Sequence, residues 1–87
     1  MLGRDDVEHM VREEGALLID LRNATEIAEE PDPLSMALSL GLLGIELEGL
    51  PRNRQIITRC ASGYRSQIAA SLLKRAGFTN VVLLQQE

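Results

Sequence analysis

Three short aliphatic runs constrain this chain more than any other feature: Ala16-Leu17-Leu18-Ile19-Asp20-Leu21, Gln55-Ile56-Ile57-Thr58-Arg59 and Val81-Val82-Leu83-Leu84. Each is too brief for a core helix. Each is apolar at consecutive rather than alternate positions, which marks strands buried on both faces. Helical patterns separate them. Val7, Met10 and Val11 recur at helical spacing behind Asp5 or Asp6 as a cap, with Gly15 as the stop. From Ser66 to Ala76, one apolar face is formed by Ile68, Ala69, Leu72, Leu73 and Ala76. Lys74 and Arg75 suit the C-terminal dipole of that helix, Gly77 closes it, and Phe78 can fold back onto it. Strands alternating with helices predict an α/β domain with a mainly parallel sheet.

The middle of the chain reads less simply. Asn23 or Thr25 can start one or two helical turns through Glu29, and Pro31-Asp32-Pro33 ends them, since proline lacks a backbone donor and restricts the preceding residue. Leu34, Met36, Leu38, Leu40 and Leu42 alternate with period two, whereas Leu43, Leu47 and Leu50 fit a helical stripe. The spacing predicts a strand near residues 37–40 and a short helix near 42–49. Leu50-Pro51-Arg52-Asn53-Arg54 reads as a turn.

A chain of 87 residues makes one small domain, residues 1–87. Tyr64 and Phe78 are its only aromatic residues, so the core is aliphatic. A net charge of −4 argues against nucleic acid as a partner, because binding phosphates needs clustered lysine and arginine. One cysteine and one histidine exclude an intrachain disulfide and are too few for a structural zinc site, so neither a metal nor a cofactor is expected. Residues 1–10 carry Asp5, Asp6 and Glu8 without an apolar signal core, and residues 34–50, the most apolar stretch, contain Glu46, Glu48 and three glycines. A cytoplasmic protein without membrane attachment is the expectation.

A lone cysteine is most often a small buried hydrophobe. Cys60 is placed differently: it ends a strand and precedes Gly63 and the most strongly patterned helix. Sites in parallel α/β sheets form beyond the carboxyl ends of strands. A tight loop entering a helix N-terminus aims backbone N–H groups and a partial positive charge inward, which favours thiolate over thiol. Arg59 and Arg65 add formal positive charge close by in sequence.

The segment Cys60-Ala61-Ser62-Gly63-Tyr64-Arg65-Ser66 resembles the active-site loop of rhodanese domains, Cys-x-x-Gly-x-Arg-Ser. Leu18-Ile19-Asp20-Leu21-Arg22 is similar to the family's early Asp-x-Arg strand, with Glu26 at its usual acidic position, and Ala76-Gly77-Phe78 and Asn80-Val81 resemble its later course. The resemblance spans residues 16–84 and implies a three-layer rhodanese-like domain around a mainly parallel central sheet. It implies a sulfurtransferase in which Cys60 carries sulfane sulfur as a persulfide from a small-molecule donor, such as thiosulfate, to a thiol or cyanide-like acceptor. It further implies that Ala61, Ser62, Gly63, Tyr64, Arg65 and Ser66 form the loop that holds the anionic sulfur, with Arg65 bracing it. Tyr64 either lines the pocket mouth or faces solvent. Asp20 and Arg22 would be structural residues near the site, and His9 a surface residue of the first helix. Cys60 to Arg65 is Cys-x4-Arg, where the related cysteine phosphatases carry Cys-x5-Arg; the shorter ring suits one sulfur atom rather than a phosphate.

Two departures stand out. The family's Gly-His-Ile-Pro-Gly-Ala segment is replaced by Pro31-Asp32-Pro33-Leu34-Ser35-Met36, and the chain stops at Gln85-Gln86-Glu87 where the family continues into a C-terminal helix. Without that helix, an apolar sheet surface would await a second copy or another protein, unless the chain is a module of a longer one. The alternative function is a non-catalytic rhodanese-like interaction module in which Cys60 is idle.

Overall fold

The computed structural model describes residues 3–59 and 64–84. Four parallel strands, β1 (Leu17–Asp20), β2 (Ser35–Ala37), β3 (Ile56–Arg59) and β4 (Val81–Leu83), form one sheet in the order β2-β1-β3-β4. The helices are α1 (Arg4–Glu13), α2 (Ala24–Glu29), α3 (Leu40–Glu46) and α4 (Tyr64–Arg75), and a 3₁₀ turn, Leu47–Gly49, follows α3.

Side chains on successive strand residues point to opposite faces, and the two faces are covered by different helices. Leu18 and Ile57 pack with Val7 of α1, Ala16 and Leu84. Ile19, Ile56 and Val81 pack with Leu43 of α3 and with Ala69, Ala70 and Leu73 of α4. This accounts for runs that are apolar at consecutive positions: both faces of the central strands are dry. The architecture is therefore the expected three-layer α/β arrangement, and no helix follows β4 among the described residues. Val81 and Leu84 are buried, while Leu83 borders solvent.

Four boundaries differ from the sequence-based expectation. Gly3, not Asp5 or Asp6, caps α1; Asp6 lies one turn in and its carboxylate accepts the Gly3 N–H at 3.1 Å. The middle strand lies at Ser35–Ala37 rather than 37–40, and α3 starts at Leu40 rather than 42. Ser39 explains the second shift, because its hydroxyl accepts the Leu42 N–H and starts the helix inside the period-two run. Leu38 still extends the pairing of β2, donating its N–H to the Asp20 carbonyl at 3.0 Å. Finally, α4 begins at Tyr64, one half-turn before Ser66.

The end of α4 follows its sequence signals. Gly77 takes φ +101°, its N–H donates to the Lys74 carbonyl, and the Phe78 N–H donates to that of Leu73. This is a Schellman cap, which pairs the last carbonyls and folds Phe78 onto Leu73 in the core. Arg52 seals it from outside, donating to the Ala76 carbonyl at 2.7 Å with its guanidinium 4.4 Å from the Phe78 ring centre. No helix among the described residues is long and apolar enough to cross a membrane.

Candidate active site at the carboxyl ends of the strands

Cys60, Ala61, Ser62 and Gly63 lie outside the described residues. They connect Arg59, the last residue of β3, to Tyr64, the first of α4, and both of these anchors are built from specific contacts. Thr58, fully buried, directs its hydroxyl toward the Ser66 carbonyl at 3.4 Å and so joins the end of β3 to the first turn of α4. The Arg59 carbonyl accepts the Leu21 N–H at 2.8 Å, continuing the β1–β3 ladder past its last strand residues.

Arg65, in that first turn, reaches from α4 to the loop after β1. Its Nη1 donates to the Leu21 carbonyl and its Nη2 to Glu26 Oε1, each at 3.0 Å. The same Glu26 oxygen accepts the Asn23 N–H at 2.9 Å, and the Glu26 N–H donates to the Asn23 side chain, a reciprocal cap that starts α2. The Asn23 N–H and the Arg65 guanidinium hold the Glu26 carboxyl below its ordinary pKa. Tyr64 is exposed, and Ser66 is buried.

Asp20, the last residue of β1, pairs with Arg22. The Asp20 carboxylate is fully buried and accepts the Arg22 backbone N–H at 3.0 Å, Nε at 3.0 and 3.1 Å, and Nη2 at 2.8 Å. Arg22 Nη2 also donates to the Glu30 carbonyl at 2.7 Å, which ties the end of α2 back to the strand. Burial pushes the Asp20 carboxyl up, yet the Arg22 hydrogen bonds and the Arg59 charge outweigh it, and the net shift is downward.

In the sequence Asp32 is only part of a proline-flanked break; the structure gives it a larger part. Its carboxylate accepts both Arg4 guanidinium nitrogens, at 2.8 and 2.6 Å, Arg59 Nη1 at 2.7 Å and the Leu34 N–H at 3.1 Å. Arg4 belongs to α1, so Asp32 fastens α1, the 31–34 turn and the end of β3 together. The signal available in sequence was an acid locked between two prolines, which presents its carboxylate in a fixed direction. The Arg4 hydrogen bond, opposed by burial and aided by Arg59 and Leu34, lowers its pKa from 3.8 to about 2.

That depression carries a prediction. A carboxylate whose folded pKa lies below its unfolded one adds stability above the unfolded value and loses it as pH falls through the folded value. The contribution of Asp32 should therefore be complete above about pH 4–5 and disappear toward pH 2. Its size is roughly 1–2 kcal/mol, once screening of the half-exposed Arg4 is allowed for. Urea midpoints of the parent and Asp32→Asn should differ at pH 6 and converge as pH approaches 2. A gap independent of pH would refute the assignment.

The positive charge expected from Arg59 and Arg65 is thus mostly compensated, by Asp32 and Glu26. Arg4, Arg22, Arg59 and Arg65 are ion-paired with Asp20, Glu26 and Asp32, and the charges of Glu8 and Glu30 also act on Arg4 and Arg22. The dipole of α4 has its positive end at Tyr64. No group of three or more histidine, cysteine, aspartate or glutamate side chains among the described residues could hold a metal ion. His9 is exposed on α1, 3.4 Å from Glu14 and away from these groups.

Comparison with known proteins agrees with this architecture. The family model of the rhodanese-like domain matches residues 4–86. A protein of Allochromatium vinosum named a sulfurtransferase is 33% identical over 72 residues, covering 83% of this chain and 67% of its relative. A putative sulfurtransferase of Bacillus subtilis, YtwF, is 30% identical over 74 residues, covering 85% and 72%. Among solved structures, CoADR-RHD of Bacillus anthracis superposes with a TM-score of 0.84 at 27% identity; the match takes in 97% of this chain but only 15% of that much longer one. The single-domain sulfurtransferase RDL2 of Saccharomyces cerevisiae superposes with a TM-score of 0.80 at 20% identity, covering 99% and 82%. The motifs, the parallel sheet with helices on both faces and these matches lead to one conclusion: the chain belongs to the rhodanese-like domain family.

Proposed function

We propose that this protein is a sulfurtransferase that carries sulfane sulfur on Cys60. The observation that carries the reading is the framing of Cys60 in the chain: it stands in the four-residue connection between the end of β3, a buried parallel strand, and the N-terminus of α4. A helix N-terminus favours a thiolate and an anionic terminal sulfur. The relatives named sulfurtransferases support the same chemistry.

In the first half-reaction the Cys60 thiolate attacks the outer sulfur of a donor such as thiosulfate. The new sulfur–sulfur bond forms as the donor's own breaks, and sulfite leaves with the electron pair. In the second, a thiolate or cyanide attacks the terminal sulfur of the persulfide, and Cys60 departs as the thiolate it began as. The electrons balance within each exchange, so no external oxidant is consumed. Arg65 acts as the brace between α4 and the β1–α2 loop, and the Asp20–Arg22 pair as the support beneath it.

The experiment is direct. Incubation with thiosulfate or an alkyl persulfide should add one sulfur atom, about +32 Da, to the intact mass. The adduct should vanish on cyanide treatment with release of thiocyanate, and should not form in Cys60→Ser. A protein that takes up no sulfur from either donor and whose cysteine resists iodoacetamide near neutral pH would instead be a binding module.

A further inference from the structure

Arg59 immediately precedes Cys60 in the chain, and its side chain is turned to the α1 face of the sheet. Ile57, two residues earlier, packs with Val7 of α1, whereas the intervening Thr58 bonds to α4. Cys60 is bonded to Arg59, and neighbouring Cα atoms are about 3.8 Å apart, so the Arg59 charge acts on it from within about one Debye length. Asp32 is the group that this charge meets, at 2.7 Å, with its own side chain only 3% exposed.

Docking of α1 would be served by the two-point contact between Arg4 and Asp32 alone. The same carboxylate nevertheless also neutralises Arg59, whose Nε is buried without a hydrogen-bond partner among the described residues. The Arg59 side chain is therefore held under cover at some cost, rather than placed where its hydrogen bonds would be best satisfied. Asp32 also stands in Pro31-Asp32-Pro33, part of the segment in which this chain departs from the rhodanese pattern and which the reaction above leaves without a task.

We propose that Asp32 is a positioning residue that sets the charge preference of the Cys60 site: by pairing with Arg59 it cancels one positive charge there, which lessens the advantage of dianionic thiosulfate over monoanionic persulfide donors. This rests on the sulfurtransferase reading. A dianion gains twice as much as a monoanion from each added positive charge, so the ratio of the two donors reports the balance. A purely structural role for Asp32 would slow both donors alike and leave that ratio unmoved.

The test is the rate of Cys60 sulfur loading, followed by intact mass, with thiosulfate and with ethyl persulfide as separate donors. Asp32→Asn should raise the thiosulfate-to-persulfide rate ratio roughly 3- to 10-fold. Arg59→Gln should lower it by a similar factor, and the double variant, whose balance equals that of the parent, should return it to the parent value. Opposite shifts in the single variants cannot arise from general loss of structure. Should Asp32→Asn not fold, a higher ratio in the double variant than in Arg59→Gln still supports the assignment. A ratio unchanged in Arg59→Gln, or moved the same way in both single variants, overturns it while leaving the sulfurtransferase reading intact. A parent protein that loads sulfur from neither donor overturns both.

Discussion

Replacing Arg22 by alanine is expected to cost about 3–5 kcal/mol of folding free energy, because it leaves a buried carboxylate without its counter-charge. Asp20 is fully buried, and three of its four hydrogen bonds come from the Arg22 side chain. Domains of this size are stable by roughly 4–13 kcal/mol in total, so the loss takes a large share and a marginal parent would unfold at neutral pH. The mechanism can be separated from simple loss of packing. With Arg22 gone, burial is no longer opposed and the Asp20 pKa should rise above its unfolded value. A group of that kind contributes stability below its unfolded pKa and loses it as pH rises through the folded one. The variant should therefore recover part of its deficit between pH 7 and pH 5, a range above the fall in Asp32's contribution. The double replacement Asp20→Leu with Arg22→Met should be far less damaging than Arg22→Ala, since removing both charges leaves no unpaired group. Urea denaturation across this range checks both statements. A deficit below about 1 kcal/mol at pH 7 for Arg22→Ala would contradict the buried-pair account.

Arg65→Ala is expected to slow sulfur loading of Cys60 roughly 100-fold while changing stability by only about 1 kcal/mol. The small stability cost follows from exposure: Arg65 and Glu26 are each about 30% exposed in their side chains, so their ion pair is screened. The large kinetic cost follows from position. Arg65 is the second residue of α4, five residues after Cys60, and its two donors tie that turn to the Leu21 carbonyl and to Glu26. Without the tie, the helix N-terminus loses its fixed relation to the strand ends, and misplacement by about 1 Å is enough for losses of that order. Arg65→Lys should recover little, because an ammonium cannot reach both acceptors in the planar fork. Glu26→Gln should be milder than either, since the bond to the Leu21 carbonyl survives. Single-turnover loading rates with thermal melts of the same samples decide the matter. An alanine variant within about threefold of the parent would remove Arg65 from the working parts of the site.

The two variants also show how much of the site could be read in one dimension. Asp20 and Arg22 are separated by one residue, and Cys60 and Arg65 by four, so the resemblance to a known motif picked them out directly. Asp32 meets Arg4 and Arg59 across 28 and 27 residues, and no periodicity or local composition relates positions that far apart. The charge balance followed the same division. Arg59 and Arg65 look like unopposed cations in the sequence, and each proves to be paired with an acid from a distant part of the chain.

For the fold, local chemistry determined a great deal. Consecutive aliphatic residues marked β1, β3 and β4 as strands covered on both faces, and the apolar stripe with Gly77 behind it marked α4 and the place where it ends. Those signals depend on neighbours along the chain, so they survive in the sequence alone. The middle segment did not have that property. Its leucines satisfy a strand period and a helix period together, and the choice fell to tertiary contacts: the β1 edge pairs Leu18 with Ser35 and Asp20 with Ala37, and Ser39 starts α3 immediately after. The aliphatic runs at residues 16–21, 55–59 and 81–84 by themselves determined a parallel sheet buried on both faces. Only the tertiary structure decided which charges stand at the ends of its strands, because ion pairs form between groups that are close in space, whatever their distance in sequence.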